Sequence, residues 1–333
     1  MITAVAPGRV NLIGEHTDTT GGLALPMAIQ LATTVSGERG GDRVVLRSRD
    51  DDVVADVPLD VADPAAVEPA WARYVAGVVA EVRPAVGFTG TVTTTLPIGA
   101  GLSSSAALEV AMALALGADP DPRALAELTQ RAEQRASGVP CGVMDQLTSA
   151  AGVAGHALLL DCASLAVTAV ALPPDVEVVA VHSGEARTLA GSAYAARRRE
   201  CEAAERIVGP LRDLGGEAEL DRIDDPVVRR RARHVVTENA RVRSFASALR
   251  TGDVAALGEL LAASHTSLAD DLEVSTPGLD ALVAELSARP GVIGARLTGA
   301  GFGGCAVALC RPGALAGTGW VLHPSAGAHV SET

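Results

Sequence analysis

Short runs rich in β-branched residues recur through the first hundred positions of the chain. They cover residues 33–37, 43–49, 53–59 and 90–97. Within each run, apolar and polar residues alternate or nearly alternate, as they do in strands that bury one face. This pattern predicts that the first part of the chain builds a half-buried sheet.

Helical spacing of apolar residues appears between and after these runs. Residues 71–84, 103–118 and 121–138 carry apolar side chains three or four positions apart. The third segment opens with Asp121 before a proline and closes at a glycine, which are signals for the two ends of a helix. These segments predict three helices.

The rest of the chain shows the two kinds of pattern in separate blocks. A strand pair is predicted within residues 156–172, long helices dominate residues 191–288, and strands return within residues 291–310. Segregated blocks of strands and helices favour an α+β fold in two domains.

A pair of prolines, Pro173 and Pro174, separates the strand pair from a fresh strand pattern. Successive prolines break regular secondary structure, so this pair is the predicted domain boundary. The chain would then consist of an N-terminal domain, residues 1–173, and a C-terminal domain, residues 174–333.

The composition limits both the core and the chemistry. Hydrophobic residues make up 48% of the chain and aromatic residues only 2%, so the core is expected to consist of Ala, Val and Leu. All 27 basic residues are arginine. Without lysine, the chain lacks a Walker A loop, the strand lysine of a protein kinase and any Schiff-base lysine. Phosphate bound here would contact backbone amides, hydroxyl groups, a metal ion or arginine.

The formal net charge of −13 argues against a nucleic acid or an anionic membrane as a partner. Arginine is nevertheless concentrated in two places, residues 197–199 and 229–234. Such runs are predicted to lie on solvated helix faces beside acidic residues.

The cysteines and the start of the chain bear on location. Five cysteines, an odd number, occur without zinc-ligand spacing, which favours free thiols in a reducing compartment. No basic segment followed by an apolar one opens the chain, so no signal peptide is predicted. The longest apolar runs are too short to span a bilayer. A cytoplasmic protein is therefore expected.

The segment LPIGAGLSSSAALEVA, residues 96–111, places glycines and three serines directly before a helical pattern. A helix N-terminus exposes unpaired backbone N–H groups and a partial positive charge, and glycines let an anion approach that backbone closely. The segment thus predicts a phosphate site that needs no lysine. A helix capped by serine after a simple turn is the alternative that these residues leave open.

Three further segments combine glycine with polar side chains. Residues 6–22, APGRVNLIGEHTDTTGG, bring an Arg, a Glu, a His and an Asp together. Residues 296–309, RLTGAGFGGCAVAL, form either a tight hairpin or a loop against which a ligand lies. Asp145 in GVPCGVMDQLTSAAG has no obvious local ion-pair partner, so it is either a candidate base or the cap of the next helix.

Taken together and in this order, the four segments resemble those of the galactokinases, within the GHMP family of small-molecule kinases. GRVNLIGEHTD matches the galactokinase signature, GLSSSA the nucleotide loop, CGVMDQ the segment with the catalytic Asp, and LTGAGFGGC the third motif. YAARRREC and SHTSLADDLEVSTPGLD match as well, so the resemblance spans nearly the whole chain. It implies a two-domain fold with the active site between the domains, whose last strands return across the boundary.

The resemblance implies transfer of phosphate from ATP to galactose, giving galactose 1-phosphate and ADP. Asp145 would accept or orient the proton of the anomeric hydroxyl, with Arg9 as its catalytic partner. A guanidinium at this point stabilises charge on the transferred phosphoryl group. The implied sugar-binding residues are Glu15, His16, Thr17, Asp18, Gly142, Asp145 and Tyr194.

For the nucleotide, the resemblance implies contacts from one loop and from an aromatic residue near the adenine, Trp71. A place in the core is the alternative for Trp71. Ser105 and Glu133 correspond to the family's magnesium ligands, although Glu133 by itself resembles an ordinary helix residue. ATP as co-substrate, magnesium and a monomer are expected. The implied loop residues are Gly99, Ala100, Gly101, Leu102, Ser103, Ser104 and Ser105.

One departure from the family concerns the sugar. Galactokinases usually read HTDYN where this chain reads HTDTT, so Thr19 and Thr20 replace an aromatic residue and an amide. The alternative functions are a related GHMP kinase for an amino sugar, a deoxy sugar or a pentose, and a sensor that binds sugar and ATP without turnover. The intact GLSSSAA segment, with Arg9 and Asp145, favours an enzyme over a sensor.

Overall fold

The computed structural model describes residues 1–50, 52–97, 99–185 and 190–333. Within these ranges the chain forms eight α-helices and thirteen strands, which make up three sheets. The predicted α+β class is confirmed, and the strand and helix segments predicted from their spacing are present. No helix in these ranges is both long and apolar enough to cross a membrane.

The elements follow one another in the blocks that the sequence predicts. In chain order, the strands are β1 (Ile2–Asn11), β2 (Leu23–Ala24), β3 (Pro26–Arg39), β4 (Arg43–Ser48), β5 (Val54–Pro58), β6 (Phe88–Thr94), β7 (His156–Asp161), β8 (Ala166–Ala171), β9 (Glu177–His182), β10 (Val292–Thr298), β11 (Cys305–Cys310), β12 (Trp320–Leu322) and β13 (His329–Glu332). The helices are α1 (Ala72–Val82), α2 (Ser104–Ala115), α3 (Pro122–Ser137), α4 (Met144–Ala151), α5 (Ala190–Val208), α6 (Pro226–Thr251), α7 (Val254–Asp270) and α8 (Pro277–Ser287).

The largest sheet has six strands in the order β13–β1–β3–β6–β4–β5, and its pairs are antiparallel except for β4 with β6. The register of β1 against β3 shifts between Pro7 and Arg9. At this shift Gly8 allows a close approach, because a Cβ atom on it would lie 2.5 Å from the carbonyl oxygen of Leu102. The loop before α2 therefore packs directly on β1, and Arg9 N donates to Leu102 O over 3.1 Å.

Helices α1 to α4 pack against this sheet around a core built mainly of Ala, Val and Leu, as the composition predicts. Asp121 caps α3 as predicted, since its carboxylate accepts from Ala124 N. Helices α1 and α3 approach closely at Gly77, where a Cβ atom would lie 2.3 Å from the carbonyl oxygen of Ala132. This contact sets the spacing of the helix faces that carry Tyr74 and Glu133.

The C-terminal half contains the four-stranded sheet β10–β11–β9–β12, against which α7 and α8 pack. Helix α6 begins at the Asp225 cap and ends at Gly252, whose φ of 70° suits glycine. Val242 and Phe245 of α6 are fully buried in a cluster that includes Leu12 and Ile13 from the end of β1 and the residues after it. The long helix thus supports the N-terminal motif.

The prediction of solvated arginine runs is wrong for Arg231, which is 2% exposed. Its guanidinium donates to Glu200 and Glu273 over 2.8 and 2.7 Å, and to the carbonyl oxygen of Asp271. Each arm of the buried side chain therefore has an acceptor, which offsets the loss of water. The predicted acidic neighbours are present.

At its end the chain returns to the first sheet. β13 pairs with β1, so that Ile2 lies opposite Glu332 and Val5 opposite His329. Residues 329–332 therefore complete the sheet of the N-terminal half, as the family resemblance implies. The domain boundary at Pro173 and Pro174 stays a prediction.

Replacing Gly77 with alanine should destabilise the fold. Alanine has the higher helix propensity, yet its Cβ would force α1 and α3 apart, at a cost of about 1–3 kcal/mol in the free energy of unfolding. Urea denaturation would measure this loss. The control is Gly216→Ala, because Gly216 has extended backbone and open space where a Cβ would lie. An unchanged midpoint for Gly77→Ala would contradict the proposed close contact.

Candidate active site

One cavity of about 720 Å³ gathers side chains from both halves of the chain. It collects most of the residues that the sequence predicts for sugar, nucleotide and metal. Those that line it are Arg9, Glu15, His16, Asp18, Gly99, Gly101, Ser103, Ser104, Ser105, Glu133, Gly142, Asp145 and Tyr194. Four segments far apart in the sequence thus form one site.

An ion pair between Arg9 and Asp145 lies on the wall of this cavity. Arg9 Nε donates to Asp145 Oδ1 and Arg9 Nη2 donates to Asp145 Oδ2, both over 2.7 Å. The third arm, Nη1, donates to the carbonyl oxygen of Gly101 over 2.7 Å. Burial opposes the charge of Arg9, but Asp145, Glu15 and Asp18 raise its pKa above the ordinary value. The pair joins β1, the loop before α2 and the first turn of α4.

The loop before α2 supplies hydroxyl and amide donors. Ser103, the residue before α2, has a φ of 60°, an uncommon conformation for a residue with a side chain. In this conformation its hydroxyl donates to Asp145 Oδ2 over 2.5 Å. The exposed N–H groups of the α2 N-terminus suit an anion. Ile98, which belongs to the predicted loop segment, lies outside the described residues.

A chain of hydrogen-bonded polar groups continues from the loop. Ser105 Oγ donates to Glu133 Oε1 over 3.0 Å, and Gln146 Nε2 donates to Glu133 Oε2 over 2.5 Å and to Glu109 Oε2 over 3.3 Å. Burial, and next the charge of Asp145, raise the pKa of Glu133 to about 7. Burial and the neighbouring Glu133 raise the pKa of Glu109 well above its ordinary value.

Glu15, which also belongs to the N-terminal motif, is 2% exposed. Its Oε1 accepts from Arg296 Nη2 over 3.0 Å, from Thr298 Oγ1 over 3.1 Å and from Gly299 N over 2.7 Å. Strand β10 and the glycine-rich loop after it therefore hold a carboxylate of the N-terminal motif.

Helix α6 holds the backbone of the same motif. Glu238 Oε1 accepts from Gly14 N over 3.0 Å, and Asn239 Oδ1 accepts from Leu23 N over 2.7 Å. Gly14 has a φ of 96°, and a Cβ atom at this position would lie 2.7 Å from the carbonyl oxygen of Leu23. The polar motif is thus folded as a tight loop against α6.

His16 is neutral in this site, because burial, and next the nearby His234, lower its pKa to about 3. Its Nε2 lies 3.1 Å from the carbonyl oxygen of Ala300, so Nε2 carries the proton and Nδ1 is an acceptor. The ring of Tyr194 lies against it, with centroids 5.1 Å apart.

Asp18 lies against Gly142, where a Cβ atom would come 1.9 Å from Asp18 Oδ2. Glycine at position 142 is therefore required for this approach. Burial, and next the charges of Asp145 and Glu15, raise the pKa of Asp18 to about 7. The cavity thus contains carboxyl groups that take up protons near neutral pH.

Three family models match the chain in the order of the motifs. The galactokinase galactose-binding signature matches residues 2–39, the GHMP kinases N-terminal domain residues 73–153, and the GHMP kinases C-terminal model residues 245–317. Human galactokinase is 44% identical over 347 residues, which cover 98% of this chain and 86% of the human protein. The chain belongs to the galactokinase family.

A bacterial galactokinase and two solved kinase structures are also similar to this chain. The galactokinase of Roseiflexus sp. (strain RS-1) is 45% identical and covers 91% of this chain and 82% of its own length. The crystal structure of Lactococcus lactis galactokinase complexed with galactose superposes with a TM-score of 0.89 at 32% identity, covering 98% of this chain and 95% of that one. Methanococcus jannaschii mevalonate kinase, with a TM-score of 0.65, 21% identity and coverage of 93% and 90%, shares the fold. The resemblance and fold class drawn from the motifs are confirmed.

Four of the predicted site residues of this galactokinase-family chain do not line the cavity. Thr17 is fully buried, and its hydroxyl donates to Gly14 O and Leu23 O over 3.0 and 2.7 Å, so it holds the loop together. Ala100 and Leu102 are buried in the core beneath the loop. Trp71 is partly buried and packs against the core between the six-stranded sheet and helices α1 to α4. Their proposed ligand contacts stay predictions.

The structure also adds polar residues to the site that sequence reasoning missed. Tyr74, one helical turn after Trp71, lines the cavity, as does Gln146, which directly follows the catalytic-motif Asp145. Arg296 opens the third motif, but only the glycines of that motif suggested a ligand. In the sequence, these residues are marked only by lying next to a predicted site residue or motif. Such a position does not show where a side chain points.

Changing Asp18 to asparagine should alter the pH dependence of stability. The raised pKa of Asp18 means that the wild type loses stability, relative to Asp18→Asn, as the pH rises from about 4 to about 7. Urea denaturation of both proteins across this range would measure the difference.

Asp161→Asn serves as the opposite-sign control. Hydrogen bonds from Arg212 lower the pKa of Asp161, so its contribution is present above the ordinary pKa and is lost as the pH falls. A difference between wild type and Asp18→Asn that is constant with pH would refute the raised pKa of Asp18.

Proposed function

We propose that this chain is a galactokinase that transfers the γ-phosphoryl group of ATP to the anomeric hydroxyl of galactose. The products are galactose 1-phosphate and ADP. The observation that carries the proposal is the position of the Arg9–Asp145 pair, between the galactose-binding signature and the N-terminus of α2 in one cavity. Membership of the galactokinase family supports the same reaction.

Asp145 is proposed to accept the proton of the anomeric hydroxyl as its oxygen bonds to the γ-phosphorus and the bond from that phosphorus to the β–γ bridging oxygen breaks. Two donors from Arg9 and one from Ser103 orient its carboxylate. Arg9 also carries positive charge next to the position of the transferred group. Positioning and electrostatic stabilisation supply most of the catalysis in phosphoryl transfer.

The sugar is proposed to contact Glu15, His16, Asp18 and Tyr194, with Gly142 leaving room for Asp18. Carboxylates accept hydrogen bonds from several hydroxyls, and the neutral His16 offers Nδ1 as a further acceptor. A buried acceptor disfavours a sugar that lacks the matching hydroxyl. Thr17 supports this surface by holding the loop between Gly14 and Leu23.

The two threonines that depart from the family pattern do not weaken this assignment. Thr19 Oγ1 donates to His16 O over 3.3 Å, and Thr20 Oγ1 donates to Thr17 O over 3.0 Å. Both hydroxyls are bonded to their own turn, and neither residue lines the cavity. The two threonines therefore give no reason to expect a different sugar.

ATP is the co-substrate of this kinase family, and we propose that its phosphates bind at the loop from Gly99 to Ser105. The adenine is proposed to lie on the side of α1, where Tyr74 lines the cavity and Trp71 lies one turn away. Ala100 and Leu102 contribute by fixing the loop in the core.

Magnesium is proposed to bind between Ser105 and Glu133. The fit rests on their oxygens, which are 3.0 Å apart on the cavity wall, and on the half-buried carboxylate of Glu133, whose charge a cation would stabilise. Within the described ranges, no group of three or more His, Cys, Asp or Glu side chains could hold a metal ion. The remaining ligands would be phosphate oxygens and water, as magnesium prefers. The ion would neutralise phosphate charge.

We also propose the domain division at residues 1–173 and 174–333, a cytoplasmic location and a monomeric state. The N-terminal and C-terminal GHMP models match on either side of the boundary. Cys141, Cys162, Cys201 and Cys310 form no disulfide, which suits a reducing compartment.

Release of ADP with magnesium-ATP across a panel of sugars tests the function. Galactose should give the highest kcat/KM among galactose, glucose, N-acetylgalactosamine, fucose, arabinose and talose. Asp145→Asn should lower kcat on galactose by about 10² to 10⁴, because the variant cannot accept the proton. Asp121→Asn is the matched control, since asparagine also caps a helix.

Two results would contradict the proposal. If no ADP is released with galactose but another sugar is turned over, the chain is a related sugar kinase. Binding of sugar or ATP without turnover of any sugar would indicate a sensor.

Changing Glu133 to glutamine should raise the magnesium concentration needed for half-maximal rate, by about tenfold or more, while the KM for galactose changes little. Binding of manganese with ATP, followed by the paramagnetic broadening of bound nucleotide signals, gives a readout besides activity. Glu127→Gln, on the exposed face of the same helix, is the control. Equal metal dependence in both variants would exclude Glu133 as a ligand.

A further inference from the structure

The carboxylate of Glu15 is held from one side only. All three of its protein donors, Arg296 Nη2, Thr298 Oγ1 and Gly299 N, bond to Oε1. Among the residues that the structure describes, none donates to Oε2. Because Glu15 lines the cavity, Oε2 is the oxygen available to a ligand.

Arg296 is held by backbone carbonyl oxygens as well as by Glu15. Its side chain is fully buried, and it donates through Nε to Leu12 O over 2.6 Å and through Nη2 to Asn11 O over 3.1 Å. The Thr298 hydroxyl also lies 3.0 Å from Asn11 O, so its single proton is shared between that oxygen and Glu15 Oε1. The guanidinium therefore ties the backbone just before Glu15 and the carboxylate itself to one strand, β10.

We infer that Arg296 is a positioning residue for the sugar, which turns Glu15 so that Oε2 faces the substrate hydroxyls. The inference rests on the proposed galactokinase function, because it assigns the ligand of Oε2. A planar guanidinium with several donors in fixed directions can hold a carboxylate and two carbonyl oxygens at once, whereas an ammonium group cannot hold the same arrangement. Arg296 would act through Glu15 without touching the sugar.

A purely structural role is the competing explanation, and the chain contains a comparison for it. Arg231 is buried to a similar degree and bonds two carboxylates and a carbonyl oxygen, but neither of these carboxylates lines the cavity, whereas Glu15 does. Arg231→Lys should lower stability and leave sugar binding unchanged.

The experiment compares Arg296→Lys, Thr298→Val and Arg231→Lys by steady-state kinetics and by thermal melting with and without galactose. Arg296→Lys should raise the KM for galactose by about tenfold or more and leave the KM for ATP within about twofold. Galactose should also stabilise this variant less than the wild type. Thr298→Val, which removes one of the three donors, should show a smaller change in the same direction.

The link to Glu15 is tested by combining changes. In a Glu15→Ala background, Arg296→Lys should add little to the KM for galactose, because the group that it positions is absent. Additive effects, an equal rise in the KM for ATP, or an unchanged KM for galactose would overturn the inference. If Arg296→Lys does not fold, an unchanged KM for galactose in Thr298→Val overturns it instead.

The same measurements separate this inference from the proposed function. Wild-type turnover of galactose tests the function, whereas the split between the two KM values tests Arg296. A wild type that turns over galactose while Arg296→Lys behaves like Arg231→Lys would leave the function intact and refute the positioning role.

Discussion

The interaction on which the rest of the site depends is the paired contact between Arg9 and Asp145. Each arm of Arg9 has an acceptor, two on Asp145 and one on the carbonyl oxygen of Gly101. Arg9 is buried, so removal of Asp145 would leave its charge without compensation, which is costly. Strand β1, the loop before α2 and helix α4 are consequently held in one arrangement, and the close approach at Gly8 makes that arrangement possible.

The electrostatics of the cavity follow from its acidic content. Glu15, Asp18, Glu133 and Asp145 all line it, so an anionic substrate meets strong repulsion unless cations balance the charge. Burial and mutual repulsion raise the pKa of Asp18 and Glu133 to about 7, which lowers the total negative charge near neutral pH. A neutral, hydroxyl-rich ligand suits the sugar end, because its hydroxyls donate to these carboxylates. Hydroxyl and amide donors suit phosphate at the α2 end.

The sequence predicts the local elements well, because apolar spacing and cap residues act over a few positions. It also predicts that four motifs share one site, because these segments occur in the same order as those of a known family. It does not predict the partner of each side chain. Trp71, directly before α1, and Tyr74, in its first turn, lie three positions apart, and spacing alone cannot show that Tyr74 lines the cavity. Arg296 lies between two buried apolar residues in β10, and its acceptors come from a segment 281 positions earlier.

That separation of 281 residues has a consequence for synthesis of the protein. At roughly 5–20 residues per second, Glu15 is added to the growing chain about 14–56 seconds before Arg296. During that time the carboxylate and the carbonyl oxygens of its loop lack their arginine, and β1 lacks its partner strand β13. The sugar end of the cavity is therefore the last part to mature, and its assembly is tied to completion of the C-terminal half.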